Sequence, residues 1–333
     1  MALAQLSPTL IVVLALVLAA EFVNGWTDAP NAMATVVSTR VLSPGRALLL
    51  ATTLNIIGTM SGTAVAFTIG RGIVRPEIIN IYTVGAAMVG IVFWSTVAWY
   101  YGLPTSESHG LIAGLTGAGL ATAGTKVLLW AGWKKVLIGL VFSTFLGLLS
   151  GFVLMVLIYN LWAKARPETV RKLFGKLQIL SAAFMAYSHG ANDGQKFIGA
   201  FTLVLLLSGV ISTFHVAPWV ILLCAAMMGL GTAVGGWRIM KTMGLRLTKL
   251  EPVHGFAAET GSALVIMFAS HFGIPLSTTH TISSAIVGVG ATRRFSAVRW
   301  GVSRDIVTAW ILTFPICGFV SWGVMKAVLH FVH

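Results

Sequence analysis

Gly102-Leu103-Pro104-Thr105-Ser106-Glu107-Ser108-His109 returns at an offset of 171 as Gly273-Ile274-Pro275-Leu276-Ser277-Thr278-Thr279-His280. The same offset pairs Gly117 and Gly119 with Gly288 and Gly290, and Ala86, Ala87 and Gly90 with Ala257, Ala258 and Gly261. Gly62-Thr63-Ala64-Val65 returns as Gly231-Thr232-Ala233-Val234 at 169, and Gly25-x-x-Asp28 as Gly190-x-x-Asp193 at 165. Gaps shift the register but the order is kept. An apolar chain yields single matches by chance, whereas ordered matches of this kind point to two related halves.

The halves are built for a bilayer. Of 333 residues 57% are hydrophobic and 9% charged, with a mean hydropathy of +0.90, against roughly 25% charged in a soluble domain. Apolar stretches recur from Leu10 to Val332, each able to cross roughly 30 Å of hydrocarbon as a helix. The expected fold is an all-α polytopic membrane protein. Ten membrane-crossing units can be drawn, at 9–39, 47–70, 78–101, 104–124, 136–162, 178–207, 217–237, 253–272, 275–292 and 304–331. The first and sixth are long and interrupted by polar residues, which suggests a broken helix or hairpin in each. An odd number of crossings per half inserts the second half upside down, the inverted-repeat plan of many secondary transporters.

Residues 1–162 form the first repeat and 178–333 the second, with a basic, cytoplasmic linker at 163–177 whose Arg166-Pro167-Glu168 reads as a helix start. The net charge of +13 sits in short loops: fifteen Lys and Arg fall on the linker side, while Arg71, Arg75, Lys126, Lys134 and Lys135 fall on the other. That imbalance sets orientation, places both termini outside and excludes nucleic acid as the partner the charge serves. Cys224 and Cys317 lie in apolar segments at no metal or disulfide spacing and read as packing residues. Met1 to Thr9 carry no Lys or Arg and no cleavage site follows, so a removable signal peptide is not expected.

Asp28, in Asn24-Gly25-Trp26-Thr27-Asp28-Ala29-Pro30-Asn31, and Asp193, in His189-Gly190-Ala191-Asn192-Asp193-Gly194-Gln195-Lys196, stand in apolar surroundings. A charge at bilayer depth costs several kcal/mol, so a functional partner is the first reading; capping of a half-helix after the glycine is the second. Carboxylates and amides supply the hard oxygens a sodium ion prefers, or a place for a proton. Glu21, Asn24, Asp28, Asn192, Asp193 and Glu259 are therefore the coupling-ion candidates. Lys196 offers a positive charge to an anion, or snorkels to an interface. Ser106, Ser108, Ser277, Thr278 and Thr279 fall where helices start after Pro104 and Pro275, so hydroxyls and unpaired backbone N–H groups converge as they do in oxyanion sites; plain N-capping is the alternative. With Asp28, Asn31, Asp193, Gln195 and Lys196 they form the candidate substrate site. His109 and His280 are expected to hold the turn by hydrogen bonding.

At these residues the chain resembles the inorganic phosphate transporter (PiT) family, and in its short loops the low-affinity permeases of prokaryotes. The resemblance covers nearly the whole length and is carried by Asn24-Gly25-x-x-Asp28-x-x-Asn31-Ala32, Gly190-Ala191-Asn192-Asp193-Gly194-Gln195-Lys196 and the two Pro-x-Ser-x-x-His elements. It implies symport of inorganic phosphate, free or metal-complexed, with sodium ions or protons. It assigns Asp28 and Asp193 to the shared cation and phosphate site, the Ser and Thr residues after each proline to phosphate, and Glu259 to a position where the family often carries a functional glutamate. Three departures stand out: Asn55 and Val84 where relatives commonly carry glutamates, Glu107 where a small hydroxyl residue or glycine is usual, and no large soluble loop.

The expectation is a secondary active importer of phosphate working by alternating access in the cell (inner) membrane. A sulfate permease of the same family and an anion channel are the alternatives. No enzyme activity is expected, since neither a nucleotide-binding P-loop nor a zinc-protease motif is present. No cofactor is called for beyond a bound sodium ion. The partners are inorganic phosphate, the coupling cation and the lipid bilayer, and a homodimer is compatible with the sequence.

Overall fold

The computed structural model describes residues 7 to 332; the opening Met1 to Leu6, part of the segment read above for a signal peptide, lies outside them. The first half folds as α1 (Pro8–Ser38), α2 (Pro44–Thr59), α3 (Ala64–Gly72), α4 (Ile81–Tyr101), α5 (Glu107–Ala123) and α6 (Trp130–Leu161). The second repeats the series as α7 (Pro167–Leu207), α8 (Pro218–Val234), α9 (Trp237–Lys241), α10 (Pro252–His271), α11 (Thr278–Arg293) and α12 (Trp300–Val332). A π-helical turn, Thr242–Arg246, extends α9. Each expected crossing unit is one helix or one bent pair. Among the described residues, five helices (α1, α4, α6, α10 and α12) are individually long and apolar enough to cross a membrane, and seven spans result if each bent pair counts as one.

The bends fall where the halves correspond, but not where polar interruptions suggested them. α2 and α3 meet at 66°, and α8 and the α9 segment at 59°. By contrast α1 and α7, expected to break at their polar motifs, are continuous helices of 31 and 41 residues. The reason is that their motif side chains bond to neighbouring helices, so the i→i−4 ladder need not open to satisfy them. Ser61-Gly62-Thr63 and Gly235-Gly236, with few side-chain partners and weak helix propensity, break instead. α7 also begins earlier than its crossing unit: Arg166 is its N-cap and Pro167 its first residue, as the helix-start signal indicated, so most of the basic linker is helix.

The repeats interlock. α5 packs along α12 and α11 along α6, while α2 lies on α7 and α8 on α1. The motif glycines permit the second pair of contacts, since a Cβ on Gly25 would stand 2.3 Å from the Met228 carbonyl oxygen and one on Gly190 2.2 Å from that of Asn55. α6 and α12 present Phe142, Phe145, Phe152, Ile311, Phe319 and Trp322 outward. Asp28, Glu107, Asp193, Lys196 and Glu259 are buried, so apolar side chains face out and charges in, as lipid requires.

Two further correspondences place the site. α4 ends at Gly102 (φ 68°) and α10 is followed by Gly273 (φ 63°), both in the left-handed region that glycine adopts without strain. The Gly102 carbonyl accepts from Thr242 Oγ1 at 2.7 Å and the Gly273 carbonyl from Thr68 Oγ1 at 2.7 Å. The tips preceding α5 and α11 are thus each held by the bent segment of the opposite half.

Candidate functional site

In α1, Asp28 and Asn31 lie one turn apart on a single face, as do Asp193 and Lys196 in α7. These faces meet the starts of α5 and α11. Thr279 Oγ1 donates to Asp28 Oδ1 at 3.1 Å and Thr278 Oγ1 to Asp193 Oδ2 at 2.8 Å. Asn31 Nδ2 reaches Thr279 Oγ1 at 2.9 Å and Thr278 Oγ1 at 3.3 Å. Lys196 Nζ donates to Asp193 Oδ1, to Ser108 Oγ and, at 2.9 Å, to the Leu276 carbonyl, which also accepts from Ser108 Oγ at 2.8 Å. Two acids, one lysine, one amide and three hydroxyls from four helices are therefore joined in one buried network. All are at most 3% exposed.

The other candidates have separate places. Ser106 and Ser277 cap their helices, accepting from the backbone N–H of His109 at 3.3 Å and His280 at 3.1 Å. Asn192 Nδ2 donates to Ser270 Oγ at 2.8 Å and to the Ile274 carbonyl at 3.3 Å. Gln195 spans from the Ala191 carbonyl (2.7 Å) to the Val65 N–H (3.0 Å) and so ties α7 to the start of α3. Glu259 forms its own cluster, accepting from Thr35 and Ser181 hydroxyls and from Gln178 Nε2 at 3.2 Å. Glu21 accepts from Asn24 Nδ2 at 3.1 Å, in a pair beside Met228.

The histidines expected to hold the turns do something else. The capping serines hold the turns, while the His109 and His280 rings pack edge-on against each other with centroids 4.7 Å apart. His280 also stacks on Trp310 at 3.7 Å.

His189 and Glu107 add to the site. His189 Nε2 lies 3.4 Å from Asp193 Oδ2, and its Nδ1 lies 3.0 Å from Asn55 Oδ1. Thr232 gives its hydroxyl proton to the Met228 carbonyl and accepts from Asn55 Nδ2 at 3.0 Å. Asn55 therefore turns its oxygen to His189, whose Nδ1 must carry the proton, leaving Nε2 to face the acids. Asp28, His189 and Asp193 each offer one ligand atom, all within 4.8 Å of one another, a set able to share a cation. Sequence reasoning passed over His189 because a lone histidine at the edge of a motif carries no spacing signal. Glu107 Oε1 lies 2.9 Å from Thr27 Oγ1 and Oε2 accepts from Ser95 Oγ at 2.5 Å, with no cationic partner among the described residues.

An arrangement of two facing helix starts with hydroxyls and a lysine, interleaved with buried acids, suits an oxyanion and cations together. Residues 24–321 match the model of the phosphate transporter family. The chain belongs to the phosphate transporter family. A probable low-affinity inorganic phosphate transporter of Rhizobium meliloti (strain 1021) is 43% identical, with 94% of this chain and 95% of that one aligned. A probable low-affinity inorganic phosphate transporter of Bacillus subtilis (strain 168) is 38% identical over 93% of this chain and 95% of that one. A solved structure described as the sodium-dependent phosphate transporter superposes with a TM-score of 0.90 at 26% identity, covering 98% of this chain and 100% of that chain. This phosphate transporter family member is accordingly a multi-pass membrane transporter and not an enzyme, with the all-α, two-repeat fold the sequence indicated.

Proposed function

We propose that this family member imports inorganic phosphate by symport with a cation, through alternating exposure of the site between α1, α5, α7 and α11. The observation that carries the reading is that Thr278 and Thr279, hydroxyls at a helix start suited to an oxyanion, are bonded to Asp193 and Asp28. Anion and cation positions then share atoms, and phosphate can enter only when positive charge accompanies it, because Lys196 is the one buried lysine or arginine among the described residues to set against Asp28, Asp193 and Glu107. Thr278, Thr279, Ser108 and Lys196 would take the phosphate oxygens while Asp28, Asp193 and Asn31 hold the cation. Glu259, clustered with Thr35, Ser181 and Gln178, is a second cation position.

Sodium suits the oxygen-rich donors, and the sodium dependence in the solved neighbour's description supports it. Protons are the second reading, favoured by Glu107. Thr27 Oγ1 lies within donating distance of both the Val23 carbonyl (2.8 Å) and Glu107 (2.9 Å) but has one proton, so satisfying both calls for a proton on Glu107. We place the linker face in the cytoplasm and both termini outside, in the cell membrane, on the strength of the charge imbalance.

The test is labelled phosphate uptake into proteoliposomes under an imposed sodium or proton gradient, with sulfate and arsenate as competitors. Saturable uptake driven by one gradient and competed by arsenate is the expected result. Uptake indifferent to both gradients would point to a channel, and preferential competition by sulfate to a sulfate permease. If protons couple, Glu107→Gln should abolish the response to a pH gradient.

A further inference from the structure

Away from the buried site, a cavity of about 550 Å³ opens where α3, the start of α6 and the end of α10 meet. Thr68, Arg71, Lys135, His271 and Gly273 are among its lining residues. It lies on the face opposite the linker, because Lys135 is near the start of the 32-residue α6 and the linker follows its end, roughly 39 Å away at 1.5 Å per residue. Arg71, Lys135 and His271 are exposed, and among the described residues none is paired with an acid.

The floor of the cavity is also a wall of the site. Within the turn leading to α11, the Gly273 carbonyl is held by Thr68, that of Ile274 by Asn192 and that of Leu276 by Lys196 and Ser108. Four residues of chain therefore separate two unpaired cations from the substrate network. On the other face, the cation beside the equivalent turn at Gly102 is engaged with the preceding residues. There Arg238 donates to the Tyr100 carbonyl at 2.6 Å and lies over the Trp99 and Tyr100 rings at 5.2 and 4.9 Å.

We propose that the α3–α6–α10 cavity is an antechamber that binds a phosphate oxyanion between Arg71 and Lys135 before the turn at 273–276 admits it to the buried site. Charges of one sign in a recess with low-dielectric walls raise the local concentration of counter-ions. This rests on phosphate being the cargo, as proposed above.

The full chain, reconstituted in phosphatidylcholine vesicles without anionic lipid, tests it. The double variant Arg71→Gln, Lys135→Gln should raise the KM for phosphate roughly fivefold at low ionic strength, with Vmax retained and the difference shrinking toward about 0.5 M salt as screening sets in. Arg71→Lys should stay near the wild-type KM. An unchanged KM at low salt overturns the proposal.

A second measurement needs neither uptake nor the loss of a cation. In the purified full chain carrying Ala131→Cys, whose residue lines the cavity, inorganic phosphate should slow modification by an anionic thiol reagent. Protection by phosphatidylglycerol but not by phosphate would make the cavity a lipid-headgroup site and overturn the antechamber. Protection by phosphate with no phosphate uptake by the wild type would leave the chamber standing and sink the transport reading.

Discussion

Lys196 and Asn31 occupy equivalent places in the two repeats and make equivalent bonds: Asn31 to Thr279, Lys196 to Ser108, the residue 171 positions earlier. Thr278 and Glu107 are equivalent too, yet they behave differently. Thr278 donates to Asp193, whereas an ionised Glu107 could only repel Asp28, and its carboxyl group is turned to Thr27 and Ser95. The repeats thus differ in charge at two separate motifs, the second repeat carrying a lysine where the first has Asn31 and the first a glutamate where the second has Thr278. Asp28→Asn and Asp193→Asn remove the carboxylates while keeping shape. Each should cut phosphate uptake by at least about tenfold, because a cation ligand is lost with the acid, and the protein should still elute from size exclusion in detergent as wild type does. Uptake at the wild-type rate in both variants would remove these acids from the site. The sequence made most of these contacts expected through motif repetition; His189 and the serine caps were not separable there, since only the hydrogen-bond network distinguishes a capping serine from a ligating one.

Between elements, the closest approaches are at the motif glycines. Gly190 sits against the Asn55 carbonyl of α2, so Gly190→Ala must push α2 and α7 apart. The expected cost is about 1–3 kcal/mol, read as a lower thermal unfolding midpoint in detergent. Gly175, also in α7, has open space around it, and Gly175→Ala should leave the midpoint unchanged or raise it, since alanine favours helix. Equal effects at both positions would mean that the close contact does not limit stability. Hydropathy located every crossing unit, yet it misplaced the breaks. Polar residues inside an apolar segment look alike whether they interrupt a helix or face a partner helix, and partners are set by tertiary packing. The bends at 61–63 and 235–236 lie in glycine-containing stretches that periodicity treats as apolar span.

Across the whole molecule, neither repeat encloses a core of its own, because α5 and α6 find their main partners in α12 and α11. Residues 1–162 or 163–333 expressed alone should fail to give a monodisperse species by fluorescence-detected size exclusion, and co-expression of the two should restore it. A stable, monodisperse half would show that the interlock is not needed for folding. That the halves are related was legible from the repeated motifs. That they exchange partners was not, since an internal repeat fixes the likeness of two segments and says nothing of which one each packs against.

The His109–His280 contact has a consequence that follows from geometry alone. Two equivalent residues of an internal repeat can touch only on the axis that relates the repeats. If the transport cycle swaps the conformations of the two halves, every off-axis contact made on one side is exchanged for its mirror on the other, whereas this one maps onto itself. A spectroscopic label pair at 109 and 280 would report the same separation at both ends of the cycle. It would serve as the stationary origin against which all other displacements could be surveyed.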